Sequence, residues 1–109
     1  MPIIDLDKAP VVQSEFHKSK TLVSPEVLNS RHVTVRLNEI AVGYAHESHK
    51  HTTDEMMIVL EGTGEYTESD ATSMIEPMSV VFVPLETVHS VRVVGETPMR
   101  VIVIKAPPE

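Results

Sequence analysis

The chain has 109 residues, a net charge of -7 from 16 acidic and 9 basic side chains, 41% hydrophobic residues and no cysteine. That length supports one hydrophobic core rather than two, and the acidic balance without a Lys/Arg cluster excludes a phosphate-binding nucleic-acid partner. The absence of cysteine removes disulfides, thiolate metal sites and a cysteine nucleophile. Valine and isoleucine together outnumber the leucines several-fold, which favours strands. With few aromatic residues, aliphatic and methionine side chains are expected to line an apolar pocket.

In chain order, residues 1–32 read as an arm punctuated by Pro2, Pro10 and Pro25, with a hint of an edge strand in the alternation through Val12, Ser14 and Phe16. The arm could pair with its own sheet or exchange into a neighbour's. Residues 1–10 lack a basic start, a long apolar stretch and a small-residue cleavage site, and no apolar run is long enough for a bilayer. We expect a cytoplasmic protein without membrane contact. Val33, Val35 and Leu37 alternate with Thr34 and Arg36 as the inward side of a half-buried strand, and a loop around Asn38 leads to Gly43.

His49 and His51 follow; on a strand, side chains two apart share a face. Thr52 to Asp54 are expected to turn the chain to Glu55, and Met56 to Leu60 is a strand ended by a hairpin turn through Glu61, Gly62, Thr63 and Gly64. Glu65 to Thr67 should return antiparallel, with a polar turn over Ser69 to Thr72. Val80 to Val83, Val88 to Val94 and Arg100 to Ile104 supply the remaining strands, a spacing that suggests a barrel or sandwich.

Two imidazoles on one face, with a carboxylate arriving at Glu55, make part of a site for Mn, Fe, Co, Ni, Cu or Zn. His89, after the strand that ends in Pro84, offers another ligand. These residues resemble the cupins. The first family motif, G(X)5HXH(X)3,4E(X)6G, is met at every fixed position by Gly43, His49, His51, Glu55 and Gly62. Of the second, G(X)5PXG(X)2H(X)3N, only Pro84 and His89 are met; Met78 and Glu86 replace the glycines and Val93 the asparagine, so Glu86 is expected to make a different turn.

The resemblance covers residues 33–106 and implies an all-β, double-stranded β-helix (jelly-roll) barrel, with residues 107–109 as a tail. It also implies that His49, His51, Glu55 and His89 converge on one divalent ion, with Glu55 as a candidate proton carrier. A small-molecule metalloenzyme is the leading expectation, dioxygenase chemistry being placed ahead of isomerase, decarboxylase or lyase chemistry. A non-catalytic metal- or ligand-binding module and a metal-free sugar isomerase or epimerase are the alternatives. A homodimer is expected, because a barrel this small often needs help in covering its outer sheet. Met57 and Val91 should share the cavity face with Glu55 and His89. Arg36, Tyr44, Tyr66 and Glu86 would be orienting or acid–base groups if they were more than surface and packing residues. His46 reads as a loop residue, and His17 and His32 as structural or exposed.

Overall fold

A computed structural model describes residues 2–45 and 50–109; His46 and His49 lie outside the described residues. Among the described residues, nine strands follow one 3-10 turn (Leu6–Lys8): β1 (Val11–Gln13), β2 (His17–Val23), β3 (Thr34–Ile40), β4 (Asp54–Glu61), β5 (Thr63–Glu68), β6 (Ala71–Ile75), β7 (Val80–Val83), β8 (His89–Val94) and β9 (Met99–Ala106). They form a six-stranded sheet in the order β1-β2-β3-β9-β4-β7 and a three-stranded sheet in the order β6-β5-β8, with every pair antiparallel. No described helix is long and apolar enough to cross a membrane.

The chain passes repeatedly from one sheet to the other, and the crossings explain several sequence signals. Gly62 was expected within a hairpin, yet β4 and β5 do not pair: β4 lies between β7 and β9, while β5 lies between β6 and β8. Gly62 is the corner between sheets, at φ +83, with a Cβ position only 2.5 Å from the Pro98 carbonyl oxygen. Only glycine fits there without displacing backbone. Gly43, at φ +81, turns the chain so that its N–H donates to Val93 and the Val93 N–H donates to Tyr44. Met78 (φ +78) and Glu86 (φ +61) keep the left-handed conformation for which glycine is the usual residue. The different turn expected at Glu86 is therefore not seen; a side chain is carried in the left-handed region instead.

Cores form on both faces of the larger sheet. Between the sheets, Met57, Val59, Tyr66, Val83, Val91, Val93, Met99 and Val101 belong to one buried cluster. On the outer face, Leu37 is buried with Ala9 and Leu22, and Ile4, Val23, Val35 and Ile102 pack against them. This second cluster reverses the expected polarity of β3. Arg36, Asn38 and Ile40 line the internal cavity, while Val35 and Leu37 join the outer cluster. Alternation was correctly legible, but the apolar side had an outer partner that the pattern alone could not reveal.

Other boundaries moved for local reasons. Asn38 lies within β3, where its side chain accepts from Ser19 at 2.7 Å, rather than in a loop. The expected polar turn at Ser69 to Thr72 shrinks to Ser69–Asp70, because β6 begins at Ala71 and pairs with β5 despite its exposed side chains. The weak signal near Val12 resolves into β1 and the stronger β2, the latter paired with β3 within this chain.

Candidate metal centre

His51 precedes β4 and is not itself in a strand, so the shared-strand argument for it fails. Its position is fixed by neighbouring turns. The Glu86 N–H donates to the His51 carbonyl at 2.7 Å, and the Leu85 N–H donates to Asp54 Oδ1 at 3.1 Å. The left-handed backbone at Glu86 thus belongs to the turn that anchors the His51 segment. Glu55 projects inward from β4, and His89 begins β8 on the opposite sheet. His49, the remaining expected ligand, is outside the described residues.

Ligand-capable atoms of His51, Glu55 and His89 all lie within 4.8 Å of one another. His89 Nε2 is 3.1 Å and His51 Nε2 3.9 Å from Glu55 Oε2. The other imidazole nitrogens define the proton positions. His89 Nδ1 is 2.9 Å from the Thr87 carbonyl, and His51 Nδ1 is 2.6 Å from Glu109 Oε1. A carbonyl and a carboxylate can only accept, so each Nδ1 carries hydrogen, and each ring that holds a single proton turns its lone-pair Nε2 towards Glu55. Such outer hydrogen bonds are the usual means of orienting a metal-binding histidine.

Three acceptors consequently meet in a buried space. Glu55 is 6% exposed, and its Oε2 has no aligned hydrogen-bond donor among the described residues despite the closeness of His89. The convergence calls for a cation, either a proton or a metal ion. With metal–ligand bonds of about 2.1 Å, adjacent ligands lie about 3 Å apart and opposite ones about 4.2 Å. The 3.1 and 3.9 Å separations fit an ion after a small contraction. Two imidazoles and one carboxylate suit first-row divalent ions.

Protonation equilibria reflect the same contacts. Burial pushes the Glu55 carboxyl upward, but the His89 contact and the charges of His89, Lys105 and His51 outweigh it, leaving the pKa lowered. The Glu55 contact raises the His89 pKa against the opposing effect of burial. Burial, followed by the hydrogen bond to Glu68, raises that of Tyr66. The Tyr66 ring lies 6.1 Å from that of His89, and its hydroxyl donates to Glu68 at 2.9 Å.

A cavity of about 340 Å³ opens beside these groups. Met57, Val91, Met99, Val101 and Val103 give it apolar walls, and the expected inward placement of Met57 and Val91 is observed. It is not apolar throughout: His17, Ser19, Arg36, Asn38 and Lys105 also line it. His17, expected to be structural or exposed, lies in that lining, where burial lowers its pKa. Lys105 could have been found by extending the Val101–Val103 alternation two residues further, whereas Glu109 carries no local sequence signal. Tyr44 stacks on Phe16 with ring centroids 5.4 Å apart, and Glu86 pairs with Lys50 at 3.4 Å. Neither Tyr44 nor Glu86 lines the cavity.

The architecture is similar to that of solved structures. KdgF from Halomonas sp. matches with a TM-score of 0.84 at 16% identity, over 94% of this chain and 92% of that one. The oxalate decarboxylase of Lactobacillus farciminis, solved as a formate complex, matches with a TM-score of 0.84 at 16% identity, over 97% of this chain and 32% of that one. At these identities the likeness concerns the fold. In sequence, the mannose-1-phosphate guanylyltransferase RfbM of Salmonella typhimurium is 33% identical over 76 residues, 70% of this chain. The chain spans only 15% of that protein's length. The family profile described as "Cupin domain" matches residues 36–105, from Arg36 in β3 to Lys105 in β9, and therefore includes all three clustered candidate ligands. The chain belongs to the cupin domain family.

Proposed function

We propose that this cupin is a metal-dependent enzyme acting on a carbonyl-containing or oxygenated small molecule. One divalent ion would be held by His51, Glu55 and His89, with His49 as the fourth ligand implied by the sequence motif. The observation that carries this reading is the convergence of two imidazole Nε2 atoms on a buried carboxylate oxygen with no aligned donor among the described residues. When bound, such an ion supplies Lewis-acid polarisation of a carbonyl or, for redox-active metals, one-electron chemistry. Met57 and Val91 would limit water beside the reacting group, Tyr66 would buttress His89, and Glu55 would carry a proton if it left the ligand set. Placing dioxygenase chemistry first gains no specific support from this site. We favour polarisation of a substrate carbonyl for isomerisation, decarboxylation or elimination, because cationic side chains face the same cavity.

The close Glu55–His89 pair also supports a second reading, a metal-free isomerase using the pair for proton transfer. Elemental analysis of protein purified without chelator discriminates between them. We expect about one equivalent of a transition metal, lost in a His51→Ala/His89→Ala variant. Absence of metal, with none taken up on reconstitution, favours the proton-transfer reading. Stoichiometric metal without turnover on any carbonyl substrate would instead favour a binding module.

We also propose a homodimer through the outer face of β4 and β7. Met56 lies opposite Phe82 and Ile58 opposite Val80. Phe82 and Val80 are 55% and 60% exposed, at the end of the sheet that the outer cluster leaves uncovered. An apolar strip beside an edge that pairs with no strand among the described residues suits a second copy. A monomeric mass in solution scattering, unchanged in a Phe82→Lys variant, would refute this assignment.

A further inference from the structure

We infer that the cavity contains a carboxylate-binding subsite formed by Arg36 and Lys105, and that Glu109 occupies it as a tethered competitor of a small organic acid. The inference deepens the reading above and rests on it for treating the cavity as a small-molecule site. The chain has only 9 basic residues and a net charge of -7. Two of those cations nevertheless line the cavity, against a single carboxylate among the described residues, Glu55. Leaving the histidines out of the sum, the described lining carries +2 - 1 = +1 from Arg36, Lys105 and Glu55. A positively charged interior in an acidic protein is electrostatically suited to an anion.

Glu109 shows where the anion would sit. Arg36 Nη1 donates to the main-chain oxygen of Glu109 at 2.6 Å, and Lys105 Nζ is 3.6 Å from its Oε1. The Glu109 side-chain carboxylate also accepts from His51 Nδ1 at 2.6 Å and from Thr52 Oγ1 at 3.3 Å, so Lys105 is the cavity cation beside the side chain and Arg36 holds the main-chain oxygen. Main-chain and side-chain contacts of Glu109 together therefore join both cavity cations to one of the candidate metal ligands. Lys105 also faces Glu55 across the β4–β9 pair, so the subsite adjoins the convergent histidines. An organic acid seated on Arg36 and Lys105 would place the remainder of its short chain against Met57, Val101 and Val103. Arginine suits this role because its planar donor fork matches a carboxylate.

Two consequences follow from tethering. A free acid must displace Glu109, and a short tether presents its group at an effective concentration of order millimolar. Removing the Glu109 side chain deletes its contacts to Lys105, His51 and Thr52 and leaves residue 109 the Arg36 contact to its main-chain oxygen, so it should strengthen binding of an external carboxylate, whereas removing the cations should abolish it. Glutarate, which reproduces a glutamate side-chain carboxylate without its amine, is the probe, and neutral glutaramide is its control.

Calorimetric titration of the full chain, freed of metal by chelation, tests the inference separately from metal binding. We expect Glu109→Ala to bind glutarate at least fivefold more tightly than wild type, with glutaramide binding neither protein. In the Glu109→Ala background, Arg36→Gln/Lys105→Met should weaken glutarate at least tenfold while far-ultraviolet circular dichroism stays unchanged. If this triple variant loses its fold, Arg36→Lys in the same background provides the test and should still weaken binding, because the fork is lost and the charge retained. Equal glutarate affinity with and without Glu109 overturns the tethered competitor. Absence of glutarate binding, or binding indifferent to the cations, overturns the subsite even where metal uptake is normal. Failure of metal uptake with glutarate binding intact overturns the metal assignment alone.

Discussion

Replacing Gly62 with alanine perturbs the corner at which the chain leaves the sheet carrying Glu55 for the sheet carrying His89. Two costs combine there. The left-handed backbone at φ +83 disfavours any Cβ by about 1–2 kcal/mol. The added methyl would also lie 2.5 Å from the Pro98 carbonyl oxygen and 2.8 Å from the Met99 Cα, whereas ordinary contact begins at 3.4 Å. The start of β9 would have to retreat by about 0.6–0.9 Å, the difference between those limits. Met99 is 0% exposed, so that retreat would disturb packed core and add about 1–3 kcal/mol.

The total for Gly62→Ala is about 2–5 kcal/mol. Gly95→Ala is the matched control: its φ is +84, but nothing lies within 4 Å of its Cβ position, so only the conformational cost remains. Urea unfolding of metal-free protein should put the Gly62→Ala midpoint below wild type by about 1–3 M, and the Gly95→Ala midpoint by about 0.5–1 M. Equal losses in the two variants would refute the claim that close approach to β9, rather than φ alone, requires glycine at position 62.

The replaced glycines of the second motif carry the opposite expectation. Met78→Gly and Glu86→Gly should each raise the urea midpoint, relief of left-handed strain exceeding the entropy cost of glycine by about 0.5–1 kcal/mol; a lower midpoint at Met78, which is 85% exposed, would contradict this. In metal-free protein, the lowered Glu55 pKa adds stability above its ordinary value of 4.5 that is lost as pH falls through the folded value. The raised His89 pKa adds stability below its ordinary 6.5 that is lost as pH rises through the folded value. The pair should therefore stabilise most between pH 4.5 and 6.5, and a Glu55→Gln/His89→Gln variant should flatten this feature of the urea-midpoint profile. An unchanged profile would deny the pair that part. Tyr66→Phe, which removes the hydrogen bond to Glu68, should cost about 1–2 kcal/mol in chemical unfolding, and a neutral substitution would show that the bond is dispensable.

Much of the barrel could be read from the chain because β-branched alternation is local. Val80–Val83 was delimited correctly, and β4, β8 and β9 differed only at their ends. Glu55 and His89 were legible for a related reason: each sits at or near the start of a strand, where motif spacing and strand direction agree. The polar end of the cavity was not. Arg36 and Asn38 reach it because β3 turns its valine and leucine outward against the arm, and local alternation cannot say which face will find the larger core. The glycine motif signalled special backbone at positions 78 and 86, and the geometry survived substitution because a left-handed turn can bear a side chain at modest cost. Glu109 reaches His51 through tertiary structure alone, a contact across 58 positions that no periodicity encodes.

The central claim is that His51, Glu55 and His89 hold one metal ion. Anomalous X-ray scattering from crystals soaked in Mn²⁺ locates such an ion directly. The account predicts one principal peak about 2.0–2.3 Å from His51 Nε2, His89 Nε2 and a Glu55 carboxylate oxygen, absent from a His51→Ala/His89→Ala crystal. No peak there, or manganese only at surface carboxylates, would contradict it.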